Sequence, residues 1–235
     1  MSFALRLLNM FYAPADTFKA FVKQRDWKDL WIPLIILALA GLISSVILKD
    51  LTVDYQLDRI EQAIENSDRI PDSQKEEILD QQFKRVLDPS PIAKVLTYVV
   101  AALTTPIRVL FLALLTLLVG NFILGGEAKY GDMLVLSGYV YLINILELLI
   151  KVPLMLNKWD MDIHTGLGLL NIGEFGDFSY HFLAGLDIFA LWRVILFGIG
   201  MGIIYKKPTR PYLIAMSVVW LVLVAISAGM GAAFT

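Results

Sequence analysis

Five ionisable side chains fall where the pattern places the hydrocarbon of a bilayer: Arg108, Glu147, Lys151, Asp187 and Arg193, with Asn144 one turn before Glu147. Charge at that depth is costly. The chemistry open to it is mutual pairing, or the lining of a water-filled path for an ion or proton. Glu147 precedes Lys151 by four, the favourable order for a pair within one helix. Helical spacing also puts Asn144 on their face. Arg108 lies 16 residues before Leu124, and Glu147 lies 16 residues after Gly131. At about 1.5 Å per residue their depths match across the turn that joins their helices. The expectation is a network in which Arg108 bonds Glu147 and Lys151 is shared by Glu147 and Asp187. The plainer reading is that Lys151 reaches out to the headgroups and Glu147 only locks two helices together.

Other chemistry is sparse. The chain has no cysteine and two histidines, so thiol catalysis, thiolate metal sites and disulfides are excluded. No nucleophile–base constellation stands out, and the expectation is a protein that is not an enzyme and needs no cofactor. Both histidines, His164 and His181, fall in one loop beside Asp160 and Asp162. Carboxylates with imidazole can hold a divalent ion, but the spacing matches no recognised ligand motif. A plain polar loop is favoured and the metal question stays open. "NKWD" (157–160) resembles a guanine-reading tetrapeptide, yet no phosphate-binding glycine loop accompanies it, so GTP is not expected. No long basic tract suggests nucleic acid.

The elements that position these residues are membrane spans. The chain of 235 residues is 57% hydrophobic and 18% charged, with mean hydropathy +0.67. Several apolar runs reach the roughly 20 residues that cross a bilayer. The expected fold class is all-α and polytopic, with five spans in one membrane domain. These are 31–48, 94–124 with a kink near Pro106, 131–156, 186–205 and 211–234. Residues 1–30 read as two amphipathic helices jointed near Pro14. They either lie in the interface or pack on the protein's own spans, with equal support for each. No cleavable signal pattern precedes the first span, which is expected to stay as an anchor. Residues 50–91 are polar and acidic and read as a helical hairpin outside the membrane, with a capping box at Ser73 and Glu76. Residues 157–183 form an outer loop.

Charge sets the expected orientation. Five bases precede Trp31, Lys129 lies in the turn 125–131, and "KKPTR" (206–210) holds three. All fall on one side if the spans alternate. The positive-inside rule then puts the N-terminus in the cytoplasm and the C-terminus outside. Gly198 with Gly202, and Ala225 with Gly229, have small-xxx-small spacing that lets helix backbones approach. Packing of the fourth span on the fifth is the preferred reading, and homo-oligomerisation the alternative.

"LGGEAKYGDMLVLSGYVYLINILELL" resembles the turn and third span of the Yip domain family (Ypt- and Rab-interacting proteins and their prokaryotic relatives). "GLDIFALWRVILFGIGMGIIYKK" resembles its fourth span, carried here by Asp187, Phe189, Trp192, Gly198, Gly200 and Gly202. "FYAPADTFKAF" resembles the opening of prokaryotic members. The resemblance implies five helices, a cytoplasmic N-terminus and a non-enzymatic protein of a prokaryotic cytoplasmic membrane. Eukaryotic members engage small GTPases through a long cytosolic N-terminal region. The sequence shows none before its first span, so that role is not expected to carry over. The implied function is accessory or scaffolding, in a membrane-protein complex or in lipid organisation, with membrane lipids as partners. The alternative is a conduit for a small or amphiphilic substrate through a polar cleft of the second, third and fourth spans.

Overall fold

The computed structural model describes residues 2–24, 26–67, 69–174 and 176–234; Arg25, one of the five early bases, lies outside them. Every regular element among the described residues is helical. Two short helices, α1 (Phe3–Asn9) and α2 (Pro14–Lys23), precede α3 (Trp27–Ile47). Then come α4 (Lys49–Glu65), α5 (Asp72–Leu87) and α6 (Pro91–Leu118), the last ending in a π-turn over Val119–Ile123. α7 (Tyr130–Tyr141) and α8 (Ile143–Lys158) follow one another across Leu142. A 3-10 turn (Leu167–Leu170) and α9 (Phe178–Gly185) lead to α10 (Ile188–Ile204) and α11 (Thr209–Phe234).

Four stretches are long and apolar enough to cross a bilayer: Trp27–Ile47, Pro91–Ile123, Tyr130–Lys158 and Thr209–Ala233. The expected fourth span, α10, has 17 residues, about 25 Å of helix. The structure therefore supplies four full-length spans and one shorter apolar helix rather than five equivalent ones. Local chemistry sets that length. Asp187 caps the start of α10, and Lys206 at φ 54° ends it. Outward faces stay apolar, as a lipid solvent requires: Ile92 is 81% exposed and Phe122 80%.

Caps explain the other boundaries. α3 starts at Trp27, before the expected 31, because Asp26 accepts from the Lys28 N–H at 3.4 Å and Asp29 accepts from the Asp26 N–H at 2.9 Å. At α5 the capping box does not form. The helix opens after Pro71 with no side-chain cap, and Asp72 pairs with Lys75 at 2.9 Å instead. α4 and α5 pack against each other, and Lys75 donates to the Glu65 carbonyl at 3.0 Å. α5 buries no residue completely. α6 runs through Pro106 as one continuous helix and ends in the π-turn.

α7 is the central helix, with Val135 through Tyr141 all buried. It packs on α3, α6 and α10, and α10 packs in turn on α2 and α11. The N-terminal helices pack on the bundle. Phe18 and Phe21 are fully buried, and Phe21 stacks on Tyr139 with ring centres 6.0 Å apart. Part of the helices' apolar face covers the protein's own core, while Leu5, Leu8, Tyr12 and Val22 stay exposed.

Candidate functional site

The intramembrane charges gather where α8 meets the start of α10. One turn of helix separates Glu147 from Lys151, and their side chains pair at 2.7 Å. Lys151 Nζ also donates to Asp187 Oδ2 at 3.0 Å, and Thr165 Oγ1 donates to the same oxygen. The other oxygen, Oδ1, accepts from the Phe189 N–H at 2.8 Å and the Ala190 N–H at 3.4 Å. One carboxylate thus caps α10, holds Lys151 and pins the outer loop. The loop is also tied by the Leu167 N–H donating to the Leu186 carbonyl at 3.0 Å. Arg193 closes the set, donating from Nη1 to Glu147 Oε2 at 2.6 Å. Its guanidinium lies over the Tyr141 ring at 5.5 Å. All four charged side chains are 10–16% exposed. Two cations meet two carboxylates, and each is engaged.

The expected Arg108–Glu147 bond is absent, and Glu147 spends its second oxygen on Arg193. Depth counting placed Arg108 and Glu147 at one level but could not see direction. α6 packs on α7, whereas α8, after the break at Leu142, packs on α3 and α10. Arg108 is exposed and makes no hydrogen bond or ion pair among the described residues. Asn144 is half-buried, and its side chain makes no hydrogen bond among them either. A cleft of about 370 Å³ does open beside the network. Its walls come from α6, α7, α10 and α11. Apart from Arg108, Arg193 and Tyr141 they are apolar, Phe111, Phe197, Met216 and Trp220 among them. It is not the polar passage expected from three spans.

Sequence reasoning missed a second buried pair. Arg6 Nη1 donates to Asp29 Oδ2 at 2.8 Å and to the Gln24 carbonyl at 2.9 Å. Tyr139 donates its hydroxyl to Asp29 Oδ1 at 2.6 Å. Thr17 Oγ1 donates to the Arg6 carbonyl at 3.1 Å. Asp29 and Thr17 are fully buried, and Arg6 is 6% exposed. This knot fastens α1 and α2 to α3 and α7. The available signal was an acid in the first turn of an apolar helix between Trp27 and Trp31. Its partners lie 23 and 110 residues away, beyond any periodicity.

The outer-loop residues do not converge. Among the described residues no three histidine or acidic side chains come together as a metal group. Asp162 pairs with Arg59 at 3.3 Å, and Asp160 accepts from the Asp162 N–H at 2.8 Å. His164 faces the Tyr180 hydroxyl at 3.4 Å. Burial, then the charge of Asp162, pushes that hydroxyl above its ordinary pKa. His181 lies against Gly231 of α11. In "NKWD", Trp159 donates from Nε1 to Asp54 at 2.9 Å, tying α8 to α4. The glycine pairs divide. A Cβ on Gly198 would lie 2.9 Å from Leu213 Cα, and one on Gly202 3.1 Å from Thr209 Cα, so both admit the α11 backbone. Gly229 faces open space and Ala225 is half-buried. At that level α11 has run beyond the shorter α10 and meets α9 instead.

An all-helical chain with four spans of full length, charges paired at depth and apolar outer faces is a multi-pass integral membrane protein. The chain belongs to the Yip1 domain family, whose family model matches residues 8–230. No curated protein and no solved structure matches it.

Proposed function

We propose that this Yip1-family protein is a non-enzymatic accessory component of its membrane, a rigid scaffold for a membrane-protein complex or for local lipid organisation. One observation carries the reading: the buried carboxylates are spent on internal bonds. Glu147 is held by Lys151 and Arg193, and Asp187 by Lys151, Thr165 and the α10 backbone. Asp29 is held by Arg6 and Tyr139. Each of these carboxylate oxygens, where a proton or passing cation would bind, already accepts a hydrogen bond. These bonds instead lock α8 to α10 and the N-terminal helices to α3. The apolar walls of the adjoining cleft also argue against a polar conduit.

For orientation, the reading keeps the N-terminus cytoplasmic and the C-terminus outside a prokaryotic cytoplasmic membrane. It is supported by Lys207, which donates to the Leu124 and Gly125 carbonyls at 3.2 and 3.0 Å and so puts the turn that carries Lys129 and the "KKPTR" turn at one end of the bundle. Native mass spectrometry after extraction in mild detergent tests the role. A stoichiometric membrane-protein partner is expected. Substrate flux by the chain alone in sealed vesicles, abolished in Glu147→Gln, would refute it.

A further inference from the structure

The mid-span charge set is one anion short. Arg108, Lys151 and Arg193 face only Glu147 and Asp187, and both carboxylates are engaged by the other two cations. Arg108 is left over, exposed at the edge of the apolar cleft. A lone cation in hydrocarbon is costly, and the usual remedy is an anion drawn to it.

We infer that Arg108 and the cleft between α6, α10 and α11 form a seat for one acidic phospholipid, with its phosphate on Arg108 and an acyl chain along the cleft.

Depth, shape and charge agree on this occupant. Asn121 of the π-turn accepts from the Tyr205 hydroxyl at 2.8 Å, which puts the end of α6 level with the end of α10. Counting back, Arg108 lies 13 residues from Asn121, and Arg193 lies 12 from Tyr205. The two arginines therefore share a level, about 9 Å inside the Asp187 end of α10. A long arginine side chain spans much of that depth. A headgroup in the leaflet at the Asp187 end can thus meet the guanidinium. The chain would then run toward the bilayer centre, past Leu112 and Phe197, which lie deeper on the same two helices. At about 370 Å³ with mostly apolar walls, the cleft has the size and lining of a ligand pocket. Phe111 and Leu223, at its rim, are exposed, so a lipid can enter sideways. A second copy of the chain is a poor source of the anion. Its mid-span acids are the same two engaged carboxylates, and its Asp29 is fully buried.

The seat is independent of whether the protein serves a partner complex, and its test uses the full chain in neutral-detergent micelles. Phosphatidylglycerol, phosphatidylcholine or inorganic phosphate is added, and retained lipids are counted by native mass spectrometry alongside the unfolding midpoint. Phosphatidylglycerol should be retained in preference to phosphatidylcholine and should raise the midpoint, and inorganic phosphate should not. Arg108→Gln should weaken the selective retention about tenfold or more, the size of one charge-assisted bond. Val219→Trp, which fills the cleft and leaves Arg108 in place, should weaken retention of the same lipid. A second basic cleft, lined by Lys49, Arg85 and Lys94, is intact in both variants, so their shared loss isolates the Arg108 seat. Arg108→Lys keeps the charge and serves if the glutamine variant fails to assemble; it should bind more weakly than the parent. Undiminished phosphatidylglycerol retention in Arg108→Gln overturns the inference. So does equal retention of the two lipids, an equal midpoint shift from inorganic phosphate, or a dimer that forms through Arg108.

Discussion

Replacing Glu147 with leucine should be among the most damaging single changes in the spans, and the reason can be apportioned. Glu147 accepts two charge-assisted bonds, from Lys151 at 2.7 Å and Arg193 at 2.6 Å. Lys151 would keep Asp187 at 3.0 Å. Arg193 would keep only the face of Tyr141, at 5.5 Å. The cost is therefore mainly one orphaned arginine within the bundle, about 3 kcal/mol on insertion scales, and near the lower end of the cost of breaking a buried pair. Removing Arg193 as well takes away the orphan. Glu147→Leu with Arg193→Leu should then recover to within about 1 kcal/mol of the parent, since apolar replacement of a buried pair is often neutral. Arg108 is the control. Its coupling to Glu147 in a double-mutant cycle should stay below about 0.5 kcal/mol, as for groups that share no contact. Equilibrium unfolding in detergent, or steric trapping in bilayers, reads all of these. If the double leucine variant is as unstable as Glu147→Leu alone, or if the cycle couples Glu147 to Arg108 rather than Arg193, the assignment of partners is wrong.

Asp29→Ala should cost about 3–5 kcal/mol because it leaves Arg6 buried without its carboxylate. Tyr139→Phe should cost about 1–3 kcal/mol by taking a donor from Asp29; both are read from unfolding midpoints, and both should loosen the N-terminal helices toward limited proteolysis. Gly198→Val should destabilise by forcing α10 away from the Leu213 backbone, whereas Gly229→Ala, facing open space, should be neutral or stabilise by about 0.5–1 kcal/mol. Single cysteines at Ser67, Ser179 and Thr209 report topology in this cysteine-free chain. An impermeant thiol reagent outside intact cells should label the first two and spare the third, and the reverse pattern would overturn the orientation.

Sequence alone determined what depends on short range. Apolar run length determined that the chain is helical and crosses a membrane, because a backbone in lipid must satisfy its own hydrogen bonds. The four-residue interval between Glu147 and Lys151 made them neighbours, since helical rise and rotation fix that distance whatever surrounds it. Lys151 shared between Glu147 and Asp187 was legible as well; that Asp187 also caps α10 was not. Tertiary structure decided everything that needed a direction around a helix. Depth can be counted along a chain, but the facing of one helix to another depends on how side chains pack, and the break at Leu142 re-aims α8 after α7. That is why Glu147 meets Arg193, 46 residues away, while Arg108 at the same depth points into a cleft. It is also why Arg6 and Asp29, unremarkable in two separate segments, become a buried pair. Their bond forms where Phe18 and Phe21 bury against the core and bring α1 and α2 beside the start of α3.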